Sequence, residues 1–292
     1  MSWEKSAPAL FVLLWSTGFV VARYGTQDAG PFTFLAVRMF LAAGILWLIA
    51  GALKAPKLKR IHISPALVVG VCMHALYLGG VFYAVSRGLP SGVSALIAGL
   101  HPVVTSVFGH VLLRERLTIV QWAGVSCGMA GVVLVLIERS SVKSATVTAA
   151  TLTAMIIAVI GMAAGTLVQR ARGKTMPLLR GTALQYLAAG VALLSLAIFS
   201  EDWDMQNTAR NWFSLAWAVG ILSIAAVLLM MLLLSRQAAA KVSSLFFLTP
   251  ALSTIEGAIL FDERLGALAV VGLAVALAGV WLTSRQPRVT TP

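Results

Sequence analysis

The residues of this chain that could do chemistry are few, and each lies inside a long apolar run. Glu256 stands out, because a buried acid in such a run is costly and turns toward a cavity or a partner. It could hold a substrate ammonium or exchange a proton. It lies six residues past Pro250 and about 8 Å from the end of its run, so it could equally reach surface water. Arg38 lies seven residues past Pro31, about 10 Å into its own run. It could bind a carboxylate or pair with an acid; the reading adopted is a structural charge bonded to backbone carbonyls. His74 and Tyr77, three apart, share a helical face. His101 immediately precedes Pro102, and Trp15 sits in the middle of the first run. Thr249 is the positional twin of His101, and Ser243, Ser244 and Ser253 share its run. Hydroxyls there serve a ligand or the backbone groups that Pro250 frees. The expected cavity set is therefore Trp15, His74, Tyr77, His101, Thr249 and Glu256. Pro102 and Pro250 are the expected helix breaks or hinges, and they free the carbonyls near Ala98 and Phe246, four residues back.

No bond-making motif stands in the context that it needs. Gly173-Lys174-Thr175 looks like the end of a phosphate-binding loop, but the earlier glycine position it requires is Val168. There is no H-E-x-x-H; G-x-S-x-G occurs once, Gly124 to Gly128, in the middle of an apolar run rather than at a strand-to-helix turn. The expectation is a protein that is not an enzyme and uses no cofactor and no metal. Cys72 and Cys127 lie within apolar runs as small packing residues and make no disulfide framework. The net charge is +12. The basic residues occupy short gaps between apolar runs, without a basic stripe interleaved with aromatics, so no nucleic-acid partner is expected.

The elements that must position these residues follow from composition. Of 292 residues 59% are hydrophobic and 11% charged, and the mean hydropathy is +0.92. A soluble domain of this size has too little interior for that apolar fraction, so the lipid bilayer is the expected solvent. The first run, Pro8 to Val21, lacks a small-residue cleavage site and reads as a retained span. Ten runs are long enough to cross: 7–23, 31–53, 64–86, 91–113, 117–137, 147–169, 177–199, 212–234, 241–261 and 266–284. With the N-terminus in the cytoplasm, fourteen Lys and Arg of the connecting segments fall inside and six outside. That bias puts both termini in the cytoplasm.

The two halves repeat one pattern. LHPVVTSVFGHVLLRERL, Leu100 to Leu117, returns 148 positions later as LTPALSTIEGAILFDERL, Leu248 to Leu265. Gly124/Gly272 and Gly131/Gly279 keep the same spacing, and LAAG occurs at Leu41 to Gly44 and at Leu187 to Gly190. An odd number of spans per repeat turns the second copy upside down. The predicted architecture is thus an all-α membrane protein of ten transmembrane helices. They form two inverted five-helix repeats, residues 1–140 and 141–292, around a central cavity. The pairs Gly124/Gly128 and Gly161/Gly165, each four apart, allow close helix approach, read here as packing within a monomer.

At these residues the chain resembles the drug/metabolite transporter superfamily, of the ten-helix EamA type. The resemblance rests on LLWSTGF (Leu13 to Phe19), on VRMFLAAG with Arg38, and on the paired P…G…(R/D)ERL…G…AGV segments. It covers essentially the whole chain. It implies a basket of helices in which the first, third, fourth, sixth, eighth and ninth line the cavity and the fifth and tenth are peripheral. It also implies export of small metabolites, often amino acids, across the bacterial inner membrane. In length and architecture the chain is similar to the YddG-like branch of aromatic amino acid exporters. The expected activity is secondary transport by alternating access; the alternatives are a drug or other metabolite exporter of the same family, an intramembrane enzyme, or a channel.

Overall fold

The computed structural model describes residues 3–113, 117–140, 147–173, 175–203, 205–236, 248–263 and 266–283. Seven of its helices come as single runs: α1 Trp3–Asp28, α2 Pro31–Ala52, α5 Ile119–Ser140, α6 Ala149–Arg172, α7 Leu178–Ser200, α9 Thr249–Phe261 and α10 Ala267–Thr283. α3 runs from Arg60–Val69 through a π-helical stretch, Gly70–Leu76, into Tyr77–Ser86. α8 has the same form, Ala209–Ala216, π-helical Trp217–Ala225, then Ala226–Arg236. α4 is broken into Ser91–Ala98 and His101–Leu113. Among the described residues there is no strand, only an isolated bridge between Ala29 and Met205.

Eight of these helices are long and apolar enough to cross a membrane, and α10, Ala267–Thr283, is a shorter apolar helix. α9 has 13 described residues; the first part of the expected run 241–261 lies outside the described residues.

Local chemistry sets the helix ends. Pro31 opens α2, where a missing N–H costs nothing. Thr148 and Thr208 accept the N–H groups of Thr151 and Asn211 and cap α6 and α8. Gly88, at φ 90°, makes the tight turn between α3 and α4. α1 runs on to Asp28, past the expected end at residue 23, because nothing breaks the helix before the Asp28-Ala29-Gly30-Pro31 turn.

Packing joins the two halves of the chain. α2 lies against α7, α5 against α10 and α4 against α9; α3 packs on α6, and α1 on α8 and α9. The α5–α10 seam is backbone on backbone. A Cβ on Gly131 would sit 2.4 Å from the Ala276 nitrogen, and one on Gly279 2.2 Å from the Gly128 nitrogen. Gly161 and Gly165 likewise face Cys72, Met73 and Leu76 of α3. Both small-residue pairs are thus spent inside the chain. Leu48, Ile119, Phe199 and Ile259 are exposed on the outer faces of the helices, as expected of side chains that meet lipid.

Candidate functional site

A cavity of about 250 Å³ lies among α1, α2, α3, α6, α7 and α8. Its apolar and aromatic lining includes Trp15, Phe19, Tyr77, Leu222 and Met230, and its polar lining Arg38, His74, Gln169, Thr182, Gln185 and Tyr186. The polar groups form a connected set. Arg38 Nε donates to Ser223 Oγ at 3.0 Å, and the Tyr186 hydroxyl donates to the Ser223 carbonyl at 3.1 Å. Ser223 lies in the π-helical part of α8, where the usual i to i−4 ladder is interrupted. The His74 ring meets Tyr186 edge-on at 4.8 Å, and Gln185 Nε2 donates to Gln169 Oε1 at 3.2 Å.

Of the expected cavity residues, Trp15, His74 and Tyr77 line this space, and so does Arg38. Helices α2 and α7 supply much of the polar wall, whereas the resemblance implied the fourth and ninth. Among the described residues α4 and α9 contribute no lining, because they pack on each other: a Cβ on Gly99 would lie 3.0 Å from the Pro250 ring.

His101, Thr249 and Glu256 lie elsewhere. Pro102 cannot donate to the Ala98 carbonyl, and His101 Nδ1 takes that acceptor at 3.1 Å, which puts the ring proton on Nδ1. Pro102 thus falls just after the break at Gly99 and Leu100, and Pro250 stands in the first turn of α9. Thr249 Oγ1 is buried without a partner among the described residues. Glu256 faces α1, where Ser16 Oγ donates to its Oε1 at 2.5 Å and Ser253 Oγ donates to the Ser16 carbonyl at 3.1 Å. Ser243, Ser244 and Phe246 lie outside the described residues.

Thr182, Gln185 and Tyr186 were not singled out in the sequence. They recur at helical spacing on one face of the α7 run, the same signal that marked His74 and Tyr77.

One end of the helix bundle is laced shut by carboxylates at helix N-termini. Glu201 accepts from the N–H groups of Phe32 and Thr33, both at 2.8 Å, and from the Thr33 hydroxyl at 2.6 Å. Glu263 accepts from Ser91 Oγ at 3.3 Å and from Gly92 N at 3.4 Å. Glu138 accepts from Ala269 N at 2.5 Å. Negative charge suits these positions, where unpaired N–H groups and the helix dipole point outward. Asp28 forms an ion pair with Arg210 and accepts from Thr208 Oγ1 at 2.7 Å. The cavity extends toward the opposite end, to Leu178 at the start of α7 and to Gln169 and Met230 late in α6 and α8.

The profile of the EamA-like transporter family matches this chain over residues 7–137 and again over 149–285. The chain is 28% identical over 283 residues to an uncharacterized inner membrane transporter of Escherichia coli K12, YedA, covering 94% of this chain and 89% of that protein. It is 26% identical over 264 residues to protein PecM of Dickeya dadantii, covering 89% and 85%. A solved crystal structure is similar in fold, with a TM-score of 0.64 at 19% identity over 96% of this chain and 95% of that one.

Proposed function

We propose, from the premise that the chain belongs to the EamA-like transporter family, that it exports amino acids, aromatic ones among them, or related small metabolites from the bacterial cytoplasm. Family membership makes it a multi-pass membrane transporter. The observation that carries the finer reading is the cavity, lined by both aromatic and polar side chains and reaching Leu178, Gln169 and Met230, away from the carboxylate clasp. Among the described residues its lining holds an arginine and no carboxylate, which favours zwitterionic or anionic solutes over cationic drugs.

In this reading ten helices form two inverted repeats, residues 1–140 and 141–292, with both termini in the cytoplasm of a monomer in the inner membrane. Three findings support it. The family profile matches twice. The π-helical stretch recurs in α3 and α8, the third helix of each repeat. The contacts pair α2 with α7, α4 with α9 and α5 with α10, as a pseudo-two-fold axis requires. The inner-membrane assignment draws on YedA. The clasped end is then the outer end, and the cavity faces inward. Transport alternates this state with an outward-open one, with the breaks near Pro102 and Pro250 as hinges and Glu256 as the candidate proton carrier. The test is a panel of liposomes preloaded with amino acids. Protein-containing liposomes should release a subset faster than empty ones; no faster release of any amino acid would sink the amino-acid reading.

A further inference from the structure

Arg38 is only 6% exposed and stands in a membrane-spanning helix, yet among the described residues it has one hydrogen bond, from Nε to Ser223, and no carboxylate partner. The acids that could neutralise it are engaged elsewhere. Asp28 pairs with Arg210; Glu138, Glu201 and Glu263 sit at helix N-termini; Glu256 meets Ser16 on α1. A buried guanidinium without a counter-charge is costly and is kept where it has work. Both Nη groups, four donors, are left without a protein partner among the described residues, in a residue on the cavity wall. Such a planar donor fork matches a carboxylate.

The surroundings specify the rest of the ligand. Tyr186 spends its hydroxyl proton on the Ser223 carbonyl, so Tyr186 and Arg38 are both braced on one residue of α8. Thr182 and Gln185 line the same cavity, and Trp15, Phe19 and Met230 give it an apolar and aromatic lining.

We infer that Arg38 is the carboxylate anchor of this cavity, which takes small monocarboxylates with an apolar or aromatic body. The inference rests on the reading of the cavity as the transport site, but it can be tested by binding alone. The probes are phenylalanine, 3-phenylpropionate, which keeps the carboxylate and lacks the ammonium, and phenethylamine, which has the reverse. Binding to the purified protein in detergent is followed by tryptophan fluorescence and by protection from thermal unfolding.

The wild type should bind phenylalanine and 3-phenylpropionate at least tenfold more tightly than phenethylamine, and Arg38→Gln should abolish that preference. Ser223→Ala, which removes the brace and keeps the charge, should weaken the two carboxylates several-fold and leave phenethylamine unchanged. The inference is overturned if the wild type binds phenethylamine as well as 3-phenylpropionate, if it binds none of the three, or if Arg38→Gln keeps the preference. Should Arg38→Gln fail to fold, an unchanged preference in Ser223→Ala overturns it. A retained carboxylate preference in a protein that moves nothing across liposomes would sink the transport reading and leave the anchor standing.

Discussion

Where α9 crosses α1, the hydrogen bonds of Ser16 and Glu256 do not balance for a carboxylate. Ser16 has one hydroxyl proton and two acceptors beside it, the Leu13 carbonyl at 2.9 Å and Glu256 Oε1 at 2.5 Å, while Glu256 Oε2 is buried without a partner among the described residues. A neutral carboxyl resolves the conflict, since it donates to Ser16 Oγ and leaves the Ser16 proton for Leu13. Glu256→Gln puts an amide donor of the same shape in that place. Its stability should stay within about 0.5 kcal/mol of wild type, and its liposome transport should no longer vary between mildly acidic and mildly alkaline pH. Transport by the variant with an unchanged pH profile would remove Glu256 as proton carrier. At this scale the sequence was partly legible. A polar residue inside an apolar run marks an internal contact, and Trp15, His74 and Tyr77 do line the cavity. The same signal cannot separate a cavity from a helix seam. His101 is recruited by a carbonyl that its proline neighbour freed, and Glu256 by a hydroxyl on α1. Arg38 was expected to bond backbone carbonyls, and its bond goes to the Ser223 hydroxyl instead; that its other donors have no acid among the described residues is visible only in three dimensions.

Helices α5 and α10 meet through glycine, so bulk there must push them apart. Gly131→Leu forces a side chain where even a Cβ lies 2.4 Å from backbone, and it should cost about 1–3 kcal/mol or more, read as a lower unfolding temperature. Gly44→Ala is the control. Its Cβ meets nothing within 4 Å, and it should be neutral or stabilising by about 0.5–1 kcal/mol. An unchanged unfolding temperature for Gly131→Leu would contradict the seam. The clasp is an element-scale device as well. Asp28→Asn combined with Glu201→Gln removes two charges that bind across the bundle, one to Arg210 and Thr208 and one to the start of α2. Spin labels on the α1–α2 turn and on the α7–α8 connection should then show a longer-distance population grown at least tenfold; an unaltered distribution would mean that the clasp does not hold that end closed. The helices themselves were readable from apolar length and from Pro, Gly and Thr at their ends. The clasp was not, because Glu138, Glu201 and Glu263 look like ordinary solvated acids until the fold brings the helix N-termini of Ala269, Phe32 and Ser91 to them.

For the molecule as a whole, the spacing of 148 between the proline segments pointed to a duplicated unit, and the pairing of α2 with α7, α4 with α9 and α5 with α10 fits one. The cavity wall was less legible. Which helices face it depends on the tilt and contact of α4 and α9, set by the approach of Gly99 to Pro250, and sequence periodicity carries no information on that. The central claim is that solute crosses through this cavity. Gly18 lines it, and a Cβ there would meet only Leu222, 4.0 Å away, so Gly18→Trp should fill the space without breaking the fold. The decisive measurement is amino-acid efflux from preloaded liposomes containing wild type or Gly18→Trp at matched, monodisperse protein. The account requires faster efflux than from empty liposomes for wild type and none above them for Gly18→Trp; equal efflux from the two proteins would contradict it.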